Sequence, residues 1–177
     1  KDECLPEETN RRIVDIISDV NLCYSEHARR YLMECGLPKE RTFVTGSPMA
    51  EVLHANLDKI EASNVHQRLG LTKGQYILLS AHREENIDTD RNFVQLFTAV
   101  NAMAEKYDMP ILYSCHPRSR KRLEATGFQL DTRVIAHEPL GFLDYNCLQM
   151  NAFAVVSDSG TLPEESSFFL SVGKPFP

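Results

Sequence analysis

The sequence is 177 residues long, which is enough for one full domain or for one domain and part of another. Its apolar fraction of 42% and charged fraction of 25% are ordinary for a globular protein, and a net charge of −6 leaves no domain-wide basic face for a nucleic acid. Because no apolar run approaches about 18 residues and no signal-peptide pattern is present, we expect a cytoplasmic protein without a membrane partner.

The five cysteines are scattered, odd in number and never spaced as Cys-x-x-Cys. The six histidines contain no His-Glu-x-x-His pair. We therefore expect reduced thiols and no metal site.

Helices and short strands alternate through the first part of the chain. Pro6 opens the first helix, while Ser25 and Gly36 are the start and stop signals of the second. The predicted elements are helices over residues 6–20, 25–35 and 48–60 and strands over residues 20–24 and 41–45. The Gly-Ser-Pro turn at residues 46–48 supplies a boundary candidate, which divides the chain into residues 1–47 and 48–177.

From Gln75 onward the alternation becomes regular. Strands are predicted over residues 76–80, 111–115, 133–136 and 153–157, with helices over residues 91–107, 118–126 and 142–151. This order predicts an α/β fold, with a parallel sheet that carries helices on both faces.

A histidine follows each of the first three regular strands: His82, His116 and His137. Ligands of such sheets bind outside the carboxyl ends of the strands, so we expect this edge to be the functional one. Arg83 is suited to hold phosphate oxygens and His82 to donate a proton to a leaving oxygen. For Arg83 the alternative is an ion pair with a neighbouring glutamate. His116 suits a place at the same edge, and its alternative is a hydrogen bond to a carbonyl at the end of its strand.

The fourth strand leads into Ser157-Asp158-Ser159-Gly160-Thr161-Leu162-Pro163-Glu164-Glu165. A sharp turn at Gly160, followed by a helix with Pro163 in its first position, leaves backbone N–H groups for a phosphate. Glu164 and Glu165 in the first turn of that helix supply acceptor carboxylates for ribose hydroxyls, so the segment suits a nucleotide sugar, whereas the alternative is a well-capped helix.

Two further candidates are ambiguous on local chemistry. Glu7 lies in the first turn of the first predicted helix, where acidic residues are also ordinary caps. Tyr145 lies on the helix after the third strand and suits either stacking on a base or packing in the core.

Together, these motifs resemble those of the non-hydrolysing UDP-N-acetylglucosamine 2-epimerases. The resemblance covers essentially the whole chain and rests on Pro6-Glu7-Glu8-Thr9-Asn10-Arg11, Thr45-Gly46-Ser47-Pro48, Ala81-His82-Arg83-Glu84-Glu85-Asn86 and Ser157-Asp158-Ser159-Gly160 with Glu164-Glu165. It implies half of a two-domain, glycosyltransferase-B-like fold, truncated at both ends. Residues 1–47 would end an N-terminal Rossmann-like domain, and residues 48–177 would form an incomplete UDP-binding Rossmann-like domain.

The resemblance also implies a reaction. Members of the family invert C2 of a UDP-N-acetylhexosamine by eliminating UDP and adding it back, with no redox cofactor or metal. By position, the resemblance implies a catalytic carboxylate at Glu7, cleft residues near the phosphates at His82 and Arg83, diphosphate and ribose contacts from Ser159 and Glu165, and an aromatic residue beside the uracil at Tyr145. Together with the local chemistry of the loops, it leads us to predict catalytic roles for Glu7 and His82 and UDP contacts from Arg83, His116, Tyr145, Ser159, Gly160 and Glu165. The implied partners are a UDP-sugar and, at full length, a second copy in a homodimer.

Thr161 stands where the family usually has a second glycine. This form resembles the branch that acts on UDP-2-acetamido-2,6-dideoxy-L-hexoses and makes UDP-N-acetyl-L-fucosamine for capsule and O-antigen. The alternatives are an epimerase that converts UDP-N-acetylglucosamine to UDP-N-acetylmannosamine, a glycosyltransferase of the same fold, and a non-catalytic UDP-sugar-binding protein. Since the family's other acid/base carboxylates would precede Lys1, we expect this chain alone to bind UDP weakly and not to catalyse.

Overall fold

The computed structural model describes residues 6–83, 89–115 and 117–174. The chain forms two compact units, residues 1–49 and 50–177. The assignment of residues 1–47 and 48–177 to two Rossmann-like domains stays a prediction. No helix within the described ranges has the length and apolarity that spanning a bilayer requires.

The first unit contains two helices and two short parallel strands. Its elements are α1 (Pro6–Ile17), β1 (Asn21–Cys23), α2 (Glu26–Glu34), a 3₁₀ turn (Lys39–Arg41) and β2 (Thr42–Val44). The helix α1 ends before the predicted residue 20, because the side-chain amide of Asn21 donates to the Asp15 carbonyl at 3.2 Å and the chain turns into β1. As predicted, Ser25 caps α2: its hydroxyl accepts the Ala28 N–H at 3.2 Å.

The second unit alternates helices and strands, and its first helix begins at the last residue of the first unit. Its elements are α3 (Met49–Glu61), α4 (Val65–Leu69), β3 (Ile77–Ser80), α5 (Asp90–Tyr107), β4 (Ile111–Ser114), α6 (Pro117–Thr126), β5 (Val134–His137), α7 (Phe142–Asn151), β6 (Ala154–Ser157) and α8 (Leu162–Ser171). The sequence patterns predict all of these except α4. His137, expected after the third strand, is its last residue and pairs with Ser114 of β4.

The order of the strands in the sheet places the candidate site. All four strands are parallel, in the order β5-β4-β3-β6. The chain moves outward from β3 to β4 and β5, then returns to set β6 on the other side of β3. Because parallel crossovers are right-handed, this reversal puts α7 on the opposite face of the sheet from α5 and α6. The predicted α/β fold with helices on both faces is confirmed.

A crevice forms in such sheets at the carboxyl ends of the two strands between which the order reverses. Here those strands are β3 and β6, which pair in register from Ile77 with Ala154 to Ser80 with Ser157. The residues that follow Ser80 and Ser157 are therefore neighbours in space.

An aromatic core beneath one face of the sheet holds β3 and β4 in place. The ring of Phe97 on α5 lies 4.7 Å from that of Phe93 and 5.3 Å from that of Tyr113, and all three side chains are fully buried. Burying one large apolar side chain stabilises a fold by about 1.5–3 kcal/mol. These contacts fix the strand ends from which the candidate site projects.

Candidate functional site

Asp158 joins the loop after β6 to the loop after β3. Its Oδ2 atom accepts the backbone N–H of His82 at 3.0 Å and that of Arg83 at 2.9 Å. In the other direction, the Asp158 N–H donates to the carbonyl oxygen of Ser80 at 3.2 Å. These bonds fix the backbone from which the side chains of His82 and Arg83 leave the sheet.

The His82 ring lies at the solvent side of this junction. Its side chain is 53% exposed, and Nδ1 lies 3.5 Å from Asp158 Oδ1 and 3.4 Å from Ser80 Oγ. A carboxylate facing Nδ1 favours the proton on that nitrogen, which leaves Nε2 to face a ligand. The predicted pair His82 and Arg83 is thus brought to the crevice.

Tyr145 reaches the same cluster from α7. Burial is the main cause that raises the pKa of its phenol, and the negative charges of Glu165 and Asp158 raise it further. A hydrogen bond with Ser80 acts in the opposite direction. The phenol is therefore uncharged near neutral pH, and its hydroxyl lies next to Ser80 and within the electrostatic influence of Glu165 and Asp158.

The loop after β6 is organised by its own hydroxyl groups. The side-chain oxygens of Ser159 and Thr161 are 3.0 Å apart, and the Ser159 N–H donates to Ser157 Oγ at 3.0 Å. Gly160 has no positive φ, and no described atom lies within 4 Å of a Cβ built on it. The backbone conformation at this position therefore does not require glycine, and the missing side chain leaves open space beside the loop.

The helix α8 begins one residue earlier than predicted, so that Pro163 is its second residue. The N–H groups of Glu164 and Glu165 both bond the Thr161 carbonyl at 3.0 Å. These bonds, together with that of Ser159, reduce the number of N–H groups that a diphosphate can use. A phosphate here would depend more on side-chain donors than the sequence suggests.

Glu165 lies in the first turn of α8 with its carboxylate turned toward α7. Its Oε2 accepts a hydrogen bond from Nε2 of Gln149 at 2.6 Å, and Gln149 is fully buried. The second unit thus brings together His82, Arg83, Tyr145 and Glu165 around the crevice, and the loop of Ser159 and Gly160 adjoins them.

Two predicted site residues do not belong to the described residues of the second unit. Glu7 lies in the first unit, exposed in the first turn of α1, while the neighbouring Glu8 is buried and accepts a bond from Arg12 Nε at 3.0 Å. His116 lies outside the described residues, as do residues 84–88, which include the rest of the Ala-His-Arg motif.

The sequence patterns predict no role for Asp158, Ser80 or Gln149, although Asp158 belongs to the Ser-Asp-Ser-Gly motif. Their roles depend on the pairing of β6 with β3 and on the approach of α7 to α8, which local patterns do not encode. The one available signal for Asp158 is a carboxylate directly after an apolar strand.

Comparison with known proteins gives consistent results. A family model described as UDP-N-acetylglucosamine 2-epimerase matches residues 1–175. The curated UDP-N-acetylglucosamine 2-epimerase of Methanocaldococcus jannaschii is 31% identical over 173 residues, which cover 93% of this chain and 47% of that protein.

Solved structures show the same likeness. A UDP-N-acetylglucosamine 2-epimerase from Rickettsia bellii superposes with a TM-score of 0.81 at 41% identity, over 98% of this chain and 45% of its own. The M. jannaschii enzyme in complex with UDP-GlcNAc and UDP superposes with a TM-score of 0.84 at 30% identity, over 94% of this chain and 48% of its own. The chain spans about half the length of the curated relatives that it matches, and it belongs to the UDP-N-acetylglucosamine 2-epimerase family.

Proposed function

We propose that the whole protein is a UDP-N-acetylhexosamine 2-epimerase, and that the second unit is its UDP-binding domain. The observation that carries the proposal is the junction at Asp158, which sets the His82–Arg83 loop against the Ser159 loop at the crevice of the sheet. A relative of this chain is described in complex with UDP-GlcNAc and UDP, which supports the same class of ligand here.

The proposed reaction eliminates UDP and adds it back. A base removes the proton at C2, a double bond forms between C1 and C2, and the electron pair of the C1–O bond leaves on the β-phosphate of UDP. The product is a 2-acetamidoglycal. UDP then re-forms its bond to C1 while an acid returns a proton to the opposite face of C2.

Each step demands a particular group. The proton at C2 is only weakly acidic, so its removal requires a positioned base, for which we propose Glu7. The departing diphosphate requires positive charge and hydrogen-bond donors, for which we propose Arg83, His116, Ser159 and Gly160. His82 donates to the leaving oxygen from Nε2 in its imidazolium form, with the other ring proton on Nδ1 facing Asp158.

The remaining proposed contacts hold the nucleoside. The Glu165 carboxylate accepts from the ribose hydroxyls, since a carboxylate offers about four lone-pair positions. Tyr145 supplies an aromatic face beside the uracil. In this arrangement the second unit binds UDP, whereas most of the proton chemistry requires groups that it does not contain.

A finer proposal concerns the sugar. We propose a 6-deoxy-L-hexose that yields UDP-N-acetyl-L-fucosamine, with a role in capsule or O-antigen synthesis, because Thr161 replaces the glycine usual in the family. Interconversion of UDP-N-acetylglucosamine and UDP-N-acetylmannosamine fits the family equally and is the second candidate.

One experiment tests the reaction. The full-length protein is incubated in D2O with each candidate UDP-sugar, and deuterium at C2 is followed by NMR. Exchange at C2 is expected for an epimerase, and the faster substrate decides between the two sugars. Binding without exchange would contradict the proposal in favour of a sugar-binding protein, and sugar transfer without exchange would favour a glycosyltransferase. This chain alone is expected to bind UDP without exchange at C2. The proposed homodimer is a separate matter, and light scattering of the full-length protein tests it.

A further inference from the structure

A buried amide lies directly behind the carboxylate proposed to bind the ribose. Gln149 on α7 is fully buried, and its Nε2 donates to Oε2 of Glu165 on α8 at 2.6 Å. A bond from an N–H group to an ionised carboxylate is about twice as strong as one between neutral groups and holds the carboxylate in a fixed orientation. The two helices are thereby linked through the side chain of Glu165.

Burying the amide of Gln149 costs free energy unless hydrogen bonds inside the protein compensate for it. A buried amide loses its bonds to water, and only good hydrogen bonds inside the protein offset that loss. Within the described residues, the Oε1 atom of Gln149 has no partner, so the bond from Nε2 to Glu165 is the contact that the amide is seen to make. An apolar side chain of the same length would fill this part of the core without that cost.

The spacing on α7 aims this amide at the site. Tyr145 and Gln149 are four residues apart and therefore lie on the same face of the helix. That face also brings Tyr145 within the electrostatic influence of Glu165. One turn of α7 thus offers an aromatic ring to the crevice, and the next turn offers a donor to the carboxylate.

We propose that Gln149 is a positioning residue, which orients the Glu165 carboxylate toward the 2′ and 3′ hydroxyls of the UDP ribose. The inference rests on the proposed function, because it takes Glu165 as the ribose contact. Gln149 acts only through Glu165 and touches no ligand itself.

The test compares UDP with 2′,3′-dideoxyuridine 5′-diphosphate, a nucleotide that lacks both hydroxyls. Titration calorimetry on the full-length protein measures both dissociation constants for the wild type and for Gln149→Met, which keeps the unbranched shape and removes the amide. We expect UDP to bind about 5- to 20-fold more weakly to the variant, with the dideoxy nucleotide changed by less than about 2-fold. The melting temperature should stay within about 4 °C.

A double-mutant cycle then asks whether the effect passes through Glu165. In a Glu165→Ala background, Gln149→Met should change the UDP affinity by less than about 2-fold. Asn146→Leu is the matched control: Asn146 is another buried amide of α7, but it donates to the Phe142 carbonyl of its own helix at 2.8 Å. Its replacement should leave the ratio of the two affinities unchanged.

The possible outcomes distinguish a failure of the positioning role of Gln149 from a failure of the proposed ribose contact of Glu165. If Glu165→Ala binds UDP as the wild type does, the proposed ribose contact is wrong. If Glu165→Ala loses UDP selectively but Gln149→Met weakens both nucleotides equally, or neither, the positioning role of Gln149 is overturned. Should Gln149→Met fail to fold, Gln149→Asn keeps an amide that is too short to reach Glu165, and the same selective loss is required of it.

Discussion

Arg83 donates its backbone N–H to Oδ2 of Asp158 across 2.9 Å, although the two residues are 75 positions apart in the sequence. The bond makes the orientation of the loop after β3 depend on a carboxylate supplied by the loop after β6. The candidate site is therefore sensitive to changes that leave the aromatic core around Phe97 intact.

Replacing Asp158 by alanine should weaken UDP binding by about 10- to 100-fold. Bonds to a charged group contribute about 1.5–3 kcal/mol, and the variant loses those that hold the backbone of His82 and Arg83. Titration calorimetry with UDP measures the change. Asp131→Ala is the matched control, because Asp131 likewise accepts a backbone N–H, that of Arg133 at 2.9 Å, but precedes β5 rather than following a strand. An equal loss of affinity in both variants would contradict the specific role of Asp158.

Two buried tyrosines provide a second, spatial test. Tyr113 donates its hydroxyl to the Ala81 carbonyl at 3.2 Å, next to His82, whereas Tyr76 donates to the Leu148 carbonyl at 2.6 Å. Burial raises the pKa of Tyr113 to about 12 and also raises that of Tyr76, so both phenols remain protonated donors at neutral pH.

Tyr113→Phe and Tyr76→Phe should each lower the free energy of unfolding by about 1–3 kcal/mol, because each leaves a buried carbonyl without its donor. Only Tyr113→Phe should also weaken UDP binding, by about 3-fold, since its carbonyl partner lies in the site loop. Chemical denaturation and calorimetry on the same samples separate the two effects. An unchanged UDP affinity in Tyr113→Phe would count against the location of the site.

The hydroxyl of Thr161 should help to hold the loop after β6 in the conformation that binds UDP. The variant Thr161→Val keeps the shape of the side chain but loses the hydroxyl that lies 3.0 Å from Ser159 Oγ. A neutral hydrogen bond contributes about 0.5–1.5 kcal/mol, so UDP should bind about 2- to 10-fold more weakly. Thr161→Ser retains the hydroxyl and should bind within about 2-fold of the wild type. The interpretation is wrong if the valine and serine variants behave alike.

His66 should make the fold sensitive to mild acid. Its side chain is 8% exposed, Nε2 lies 3.0 Å from the Tyr76 hydroxyl oxygen, and burial is the main cause that lowers its pKa below 6.5, with Lys73 adding to the effect. The unfolded chain therefore takes up a proton at a higher pH than the folded chain does. Stability is fully present above pH of about 6.5 and is lost as the pH falls toward the lowered folded pKa, with a slope of at most about 1.4 kcal/mol per pH unit from this residue.

Urea denaturation between pH 8 and pH 5, at about half-unit steps, tests this dependence. His66→Gln offers an amide in place of the ring and should show a shallower loss of stability over the same range. An identical pH dependence in the two proteins would assign the acid sensitivity to other groups.

Most of the second unit could be predicted from the sequence because its elements are long and strongly patterned. The buried strand β3 and the helix α5, with its apolar residues at helical spacing, agree with the predicted ranges to within a residue or so. The helix α4 was missed because five residues are too few to establish a period. The early end of α1 depends on a bond from Asn21 that propensity does not encode.

The site could be predicted only in part. Residues that follow strands, such as His82 and Ser159, are found from local pattern together with the general rule for parallel sheets. Asp158 and Gln149 have roles that depend on which strand lies beside β3 and on which helix packs against α8. Those facts come from the order of the sheet, and a single sequence does not specify that order.

The pairing of β3 with β6 also bears on how the protein folds. Contacts between residues that are distant in sequence carry a large loop-closure cost and form slowly. The two loops of the crevice meet only once β6 has docked on β3, with Ser80 opposite Ser157. A nucleotide that binds both loops would therefore stabilise contacts that form only after β6 has docked. It should slow unfolding more than it speeds folding.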